Sequence, residues 1–316
     1  SSQKLWKLCE AAGDIYKKPY EGLYCVGCEA FYTSEELDEK GECFEHPGRK
    51  LEMVCEENYF FRLSRYQDKL IELITTDTLR IIPLGRKNEV LSFLRQPLRD
   101  ISVSRSNERA KNWGVPVPGD PTQRIYVWFD ALNIYQSGVG FGWDEGLYKK
   151  WWPADVHVIG KGILRFHAVY WPAFLLSAKL PLPKSLFAHG YITVNGQKMS
   201  KTIGNIIDPF ELIGRYGADP LRYYFLRDIP SAGDGDFSED KLVERYNGEL
   251  ANGLGNLVAR VAALGEKISP VRISQKNDIL PEIEREIMAA SKSYDDSFSA
   301  IRLNDALSEV WRLIGF

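Results

Sequence analysis

The chain has 316 residues, 44% of them hydrophobic, 12% aromatic and 26% charged, and 40 basic against 43 acidic residues leave a net charge of −3. This composition excludes a disordered tail or a collagen-like repeat, and at roughly 100–200 residues per domain the length predicts two or more compact units. The near balance of charge argues against a polyanion binder that works by bulk charge, while leaving room for local basic patches.

No stretch reaches the roughly 18 uninterrupted apolar residues of a membrane helix; the most apolar, 163–176, is broken by Arg165, His167 and Pro172. A soluble protein with no membrane partner is expected. Five cysteines are an odd number and too sparse for a secreted disulfide scaffold, and residues 1–10 carry no secretory pattern, so a cytoplasmic location is expected. The chain opens without Met inside one amphipathic pattern (Leu5, Leu8, Cys9, Ala12) and stops inside another (Ile301, Leu303, Ala306, Val310, Leu313), which reads as an internal fragment of a longer polypeptide.

In chain order, a short helix is predicted to end near Ala12-Gly13, followed by a Cys-bearing loop region rich in Glu and Gly. There Cys25-x-x-Cys28 and Cys43-x-x-His46 are separated by fourteen residues. Two close ligand pairs on knuckle turns let three thiolates and one imidazole converge on a tetrahedral ion, which suits structural zinc with no open position for water. Cys9 and Cys55 fall outside this pattern and read as packed thiols.

Further on, residues 124–129 (RIYVWF) and 155–159 (DVHVI) read as strands covered on both faces, with helices between and after them, which predicts a parallel α/β sheet. After the second strand, Ile163, Phe166, His167, Tyr170, Trp171 and Phe174 share one face of a predicted helix, open to reading as core or as a pocket. Gly160-Lys161-Gly162 lies between that strand and that helix, where open α/β sheets bind ligands. Asn195-Gly196 after a run of strand formers predicts a tight turn, presenting Lys198, Ser200, Lys201 and Thr202 on a glycine-flanked loop suited to polyphosphate.

Asp208-Pro209 and Asp219-Pro220 predict two helix starts, each capped by its Asp. A third helix is expected from about 239 to 264, with Val243, Tyr246, Leu250, Leu254, Leu257, Val258 and Val261 on a stripe that needs a helical partner, and a fourth from about Pro281. Beside the stripe, Asn252, Asn256 and Arg260 recur at i, i+4 and i+8.

Lys198 to Thr202 (KMSKT) resembles the KMSKS signature of class I aminoacyl-tRNA synthetases, and the chain as a whole resembles the bacterial methionyl-tRNA synthetase family. The likeness is carried by Tyr126-Val-Trp-Phe-Asp-Ala-Leu132, Val158-Ile-Gly-Lys-Gly-Ile163, Phe166-His-Ala-Val-Tyr-Trp-Pro-Ala173 and Ala188-His-Gly-Tyr191. The resemblance implies an α/β fold: the C-terminal half of a Rossmann-like catalytic domain with a zinc-knuckle insert, then an incomplete α-helical anticodon-binding bundle. It divides the chain into a connective insert (1–98, knuckle at about 20–60), the second catalytic half (99–203), a stem-contact region (204–238) and the truncated bundle (239–316). The family's HIGH motif and the first half of its nucleotide fold are absent. Gly162 stands where the family usually has Asp.

The implied activity is ATP-dependent conversion of L-methionine to methionyl-adenylate and transfer to tRNA(Met), with Mg²⁺ accompanying ATP; the fragment alone is expected to be inactive. Lys198 and Lys201 are implied as catalytic. Gly160, Lys161, His189, Gly190, Lys198, Met199, Ser200, Lys201 and Thr202 are implied to bind ATP. Trp128, Ala131, Tyr135, Ile163, Phe166, His167 and Trp171 would surround the methionine side chain, whose polarizable thioether gains from aromatic contact. Cys25, Cys28, Cys43 and His46 would hold Zn²⁺, and Asn256 and Arg260 would read the anticodon. The alternatives are a non-catalytic zinc-containing tRNA-binding fragment and another class I synthetase for an aliphatic amino acid. Oligomeric state is not legible.

Overall fold

The computed structural model describes residues 1–27, 30–32, 37–43, 48–49, 51–199, 204–268 and 280–316. They form two compact units, one of Ser1–His157 with Ile163–Leu186, the other of Val158–Gly162 with Phe187–Phe316.

The first unit opens with the helix Ser2–Ala11, whose Leu5, Trp6 and Cys9 are buried at i, i+1 and i+4. Trp6 meets Tyr59 and Phe129 edge-on at 5.5 and 5.6 Å. Burial pushes the Cys9 thiol up to about 12, the behaviour of an inert packed cysteine. Where a loop region was expected, the chain instead makes a long antiparallel ribbon, Ile15–Cys25 against Glu52–Phe61, paired from Ile15↔Phe61 to Tyr24↔Glu52. It escapes sequence reading because its buried face is not uniformly apolar: Val54, Asn58 and Phe60 are buried at every second or fourth position, with Glu56 half-buried between them, while the facing strand reads Lys-Lys-Pro.

The predicted strand over 124–129 is half right. The strand runs Asp120–Ile125 and a helix follows at Val127–Leu132. An apolar run looks alike in both states, but the buried positions here are Tyr126, Phe129 and Leu132, three apart. Around that strand the pairing is antiparallel, with Ser104–Ser106 on one side and Pro116–Val117 on the other. The expected helix after 163 contains a π turn, Phe166–Tyr170, in which the Trp171 N–H donates to the Phe166 carbonyl, before the α-helix Trp171–Ser177. Phe174 from that helix packs on Phe61 at 4.8 Å and on Phe129 at 4.6 Å.

In the second unit the strand Ile192–Val194 turns back into Gln197–Lys198, with Val194 opposite Gln197. Asn195 and Gly196 take φ of 53° and 72°, the two positive values that a type I′ hairpin turn requires. On its other edge Ile192–Val194 pairs in parallel with Gly235–Phe237. Leu212, Leu221, Tyr224, Phe237 and Leu242 form the core beneath.

The helix Pro209–Tyr216 starts as predicted, with the Asp208 carboxylate accepting from the Phe210 N–H at 2.8 Å. The next helix, Ala218–Arg227, starts earlier than predicted: Gly217 occupies the cap, and Asp219 lies inside the first turn, where its charge still faces the positive helix end. The third helical stretch is Glu239–Arg245, a π segment Tyr246–Gly255, and Asn256–Lys267. Its expected apolar stripe is largely exposed within this unit, at 59% for Val258 and 60% for Val261. The fourth helix, Pro281–Ser299, is joined by Leu303–Gly315.

Candidate functional site

The aromatic cluster lies in the first unit. The Val127–Leu132 helix supplies Trp128, which stacks on Phe166 with ring centroids 4.0 Å apart and planes 10° from parallel. His167, the next residue of the π turn, is 1% exposed and meets Trp128 edge-on at 6.4 Å. Its Nδ1 lies 2.9 Å from the Ile163 carbonyl and its Nε2 lies 2.7 Å from the Tyr135 hydroxyl. A carbonyl only accepts, so Nδ1 carries the proton, Nε2 accepts, and Tyr135 donates to it. Burial lowers the His167 pKa, opposed in part by the bond to Ile163, so the ring is neutral at pH 7. The cluster is therefore an uncharged aromatic surface whose one polar pair is internally satisfied, leaving the Tyr135 oxygen with lone pairs to offer.

Of the remaining residues singled out with this group, Ile163 contributes the carbonyl just described, and Ala131 is exposed on the Trp128 helix. Trp171 is fully buried against Trp152, at 6.1 Å, and its indole Nε1 makes no hydrogen bond among the described residues. Sequence reading missed His157, which stacks on Tyr135 at 4.1 Å, is 3% exposed, and has neither ring nitrogen hydrogen-bonded among the described residues. Burial, then the nearby His167, pushes its pKa down to about 4.

The second group lies in the second unit. Gly160 ends a strand beside His189, and a Cβ added to Gly160 would stand 3.7 Å from the His189 ring. His189 Nδ1 donates to the Gly190 carbonyl at 2.8 Å, and both residues line a cavity of about 200 Å³ with Phe187, Ile192 and Phe225. The Lys161 ammonium is 2.7 Å from the oxygens of Asp234 and sits 4.7 Å from the centroid of the Tyr191 ring. Lys198, on the return strand of the hairpin, lies 5.3 Å from the same centroid. Met199 follows it, part-buried; Ser200, Lys201 and Thr202 lie outside the described residues. Asp234 had no signal in the sequence, because it comes from a Gly-Asp-Gly-Asp loop that reads as a turn.

Cys25 and Cys43 are both buried, with their sulfurs 3.2 Å apart. That is far beyond the ~2.05 Å of a disulfide. Cys28 and His46 lie outside the described residues, and of the Cys55 side chain nothing is described. Asn256 and Arg260 are exposed one turn apart on the Asn256–Lys267 helix. Asn252 belongs to the π segment, whose wider turn takes it out of the straight i, i+4, i+8 row.

Residues 1–262 match the family model described as tRNA synthetases class I (M). Among curated proteins, the methionine–tRNA ligase of Thermotoga maritima is 45% identical over 308 residues, covering 96% of this chain and 48% of that protein. The methionine–tRNA ligase of Brucella suis biovar 1 is also 45% identical, covering 94% of this chain and 59% of its own length. The solved structure of Mycobacterium tuberculosis methionyl-tRNA synthetase in complex with methionyl-adenylate superposes with a TM-score of 0.89 at 40% identity, covering 99% of this chain and 62% of that one. The chain thus spans about half the length of the curated relatives it matches.

Proposed function

The chain belongs to the class I tRNA synthetases, with their Rossmann-like α/β fold, and we propose that it serves the methionine branch: ATP-dependent activation of L-methionine to methionyl-adenylate, then transfer of the methionyl group to tRNA(Met). The observation that carries this reading is the neutral cluster of Trp128, Phe166, Tyr135 and His167. Its stacked rings suit a polarizable thioether, and a histidine with no free N–H to offer avoids demanding a carbonyl or carboxylate from the ligand. Ala131, Ile163 and Trp171 complete the proposed methionine set.

In the proposed reaction the methionine carboxylate attacks the α-phosphorus of ATP, and the bond to pyrophosphate breaks with its electron pair leaving on pyrophosphate. No protein nucleophile is required. The protein's work is alignment and stabilisation of negative charge on phosphate oxygens. Gly160, Lys161, His189, Gly190 and Met199 would cradle ATP and its Mg²⁺ with Ser200 and Thr202, while Lys198 and Lys201 meet the charge that builds on the leaving group.

The buried Cys25–Cys43 pair fits structural zinc, because two thiols converge with their sulfurs 3.2 Å apart and no disulfide between them, with Cys28 and His46 completing the set. Regions 1–98, 99–203, 204–238 and 239–316 would act as insert, second catalytic half, stem contact and anticodon bundle in a cytoplasmic enzyme. Asn256 and Arg260 would read tRNA bases, and Arg260→Ala should cost roughly 1–3 kcal/mol of tRNA affinity in a longer polypeptide.

The test is ATP–pyrophosphate exchange by this chain joined to the remaining length of its relatives. Exchange should require methionine, should not respond to leucine, and should fall by a factor on the order of 10² to 10³ in Lys201→Ala. The 316-residue chain alone should show none. Equal stimulation by leucine would sink the reading in favour of an aliphatic synthetase.

A further inference from the structure

Tyr191 stands at the centre of the second unit's charged group. Its ring receives both lysine ammoniums, Lys161 at 4.7 Å and Lys198 at 5.3 Å. Its backbone N–H donates to Asp234 at 2.8 Å, and the same carboxylate holds Lys161 at 2.7 Å. The far end of the ring passes over Gly162. A Cβ built on Gly162 would lie 2.1 Å from the Tyr191 hydroxyl oxygen and 3.3 Å from Cζ, so the tyrosine occupies the space that any side chain at 162 would need. Gly162 has no positive φ that would demand glycine, so a side chain at 162 would be felt through its contact with the Tyr191 ring, which would have to move.

We propose that Tyr191 is a positioning residue for polyphosphate: its ring gathers Lys161 and Lys198 into one cationic cluster, and Gly162 is the residue that makes room for it. Two like charges drawn to one ring repel each other in the absence of an anion, and Asp234 is the carboxylate that holds Lys161. The cluster presents two ammoniums to share among phosphate oxygens. The inference rests on the reading of this lobe as an ATP site and names the residue that orders its lysines.

Two measurements separate the inference from that reading. The first needs no ligand: in the 316-residue chain with ¹³C-labelled lysine, the Hε protons of Lys161 and Lys198 should be shifted upfield by the Tyr191 ring. Both shifts should vanish in Tyr191→Leu, shrink in Gly162→Ala, and return in the Gly162→Ala/Tyr191→Phe double variant, which removes the hydroxyl that the new methyl meets. The second is the affinity for inorganic pyrophosphate by calorimetry. Gly162→Ala should weaken it about tenfold, and the double variant should recover most of that loss.

Upfield ring shifts present as expected, with no pyrophosphate binding, would defeat the ATP reading and leave Tyr191 as the organiser of the lysines. Absent ring shifts, or a double variant no better than Gly162→Ala alone, would overturn the inference itself.

Discussion

The Tyr135 hydroxyl donates to Nε2 of His167 at 2.7 Å because Nδ1 of the same ring is committed to the Ile163 carbonyl at 2.9 Å. The bond favours the neutral imidazole. Burial is what holds the His167 pKa below its ordinary 6.5, and Tyr135→Phe leaves that burial in place, so the ring should stay neutral at pH 7 in the variant. Nitrogen-15 spectra of the imidazole should show the proton on Nδ1 in the unmodified chain and still on Nδ1 in the variant, held there by the Ile163 carbonyl. In a polypeptide that binds methionine, the same substitution should weaken binding roughly three- to tenfold, the worth of one neutral hydrogen bond.

His157 predicts a pH dependence of the first unit. Its pKa is depressed from 6.5 to about 4, so between those values the unfolded chain binds the proton that the folded chain refuses. Stability should be full above about pH 6.5 and fall as the pH drops toward 4, by something on the order of 3 kcal/mol for this group. Urea unfolding at pH 7.5, 6 and 5 should show this slope, and His157→Phe should reduce it without abolishing it, since His167 is depressed in the same direction. An unchanged slope in the variant would assign the acid sensitivity elsewhere.

Gly190 meets backbone on every near side: an added Cβ would lie 1.7 Å from the Gly233 carbonyl oxygen and 2.6 Å from the Asp234 nitrogen. Backbone cannot rotate away as a side chain can. Gly190→Ala should therefore pry Tyr191 from Asp234 and destabilise the second unit by roughly 1–3 kcal/mol. Gly196→Ala is the contrasting case, because its neighbourhood is open and only its φ of 72° objects, at about 1 kcal/mol. Thermal melts of the two variants should rank in that order.

Metal analysis should find about one zinc per chain. Cys25→Ser should lose the ion and loosen the ribbon's tip, leaving the Phe61–Phe174 packing intact, because the knuckle contributes its folding energy locally. Zinc retained at full stoichiometry in Cys25→Ser would remove that cysteine from the ligand set.

Local chemistry was readable without a fold. The Asn195-Gly196 turn and the Asp208 cap each follow from residue types a few positions apart. The resemblance in the Tyr126, Phe166 and Ala188 motifs likewise needed only the order of letters.

What the letters could not carry was anything decided by partners far along the chain. The ribbon of Ile15–Cys25 and Glu52–Phe61 has no periodic apolar face to advertise it, since Glu56 and Asn58 stand between Val54 and Phe60 on the face that it buries. The run 124–129 divides into strand and helix where the Tyr126 N–H meets the Val103 carbonyl and the Val127–Leu132 helix begins. Asp234 reaches Lys161 across 73 positions, and His157 matters only because its strand brings it against Tyr135. Gly162 reads as a departure from a family pattern until the hydroxyl of Tyr191 is seen above it. Hydrophobic periodicity and capping report on neighbours within about a turn of helix, whereas a charge partner, a depressed pKa or a forbidden Cβ depends on which distant atom fills the adjoining space.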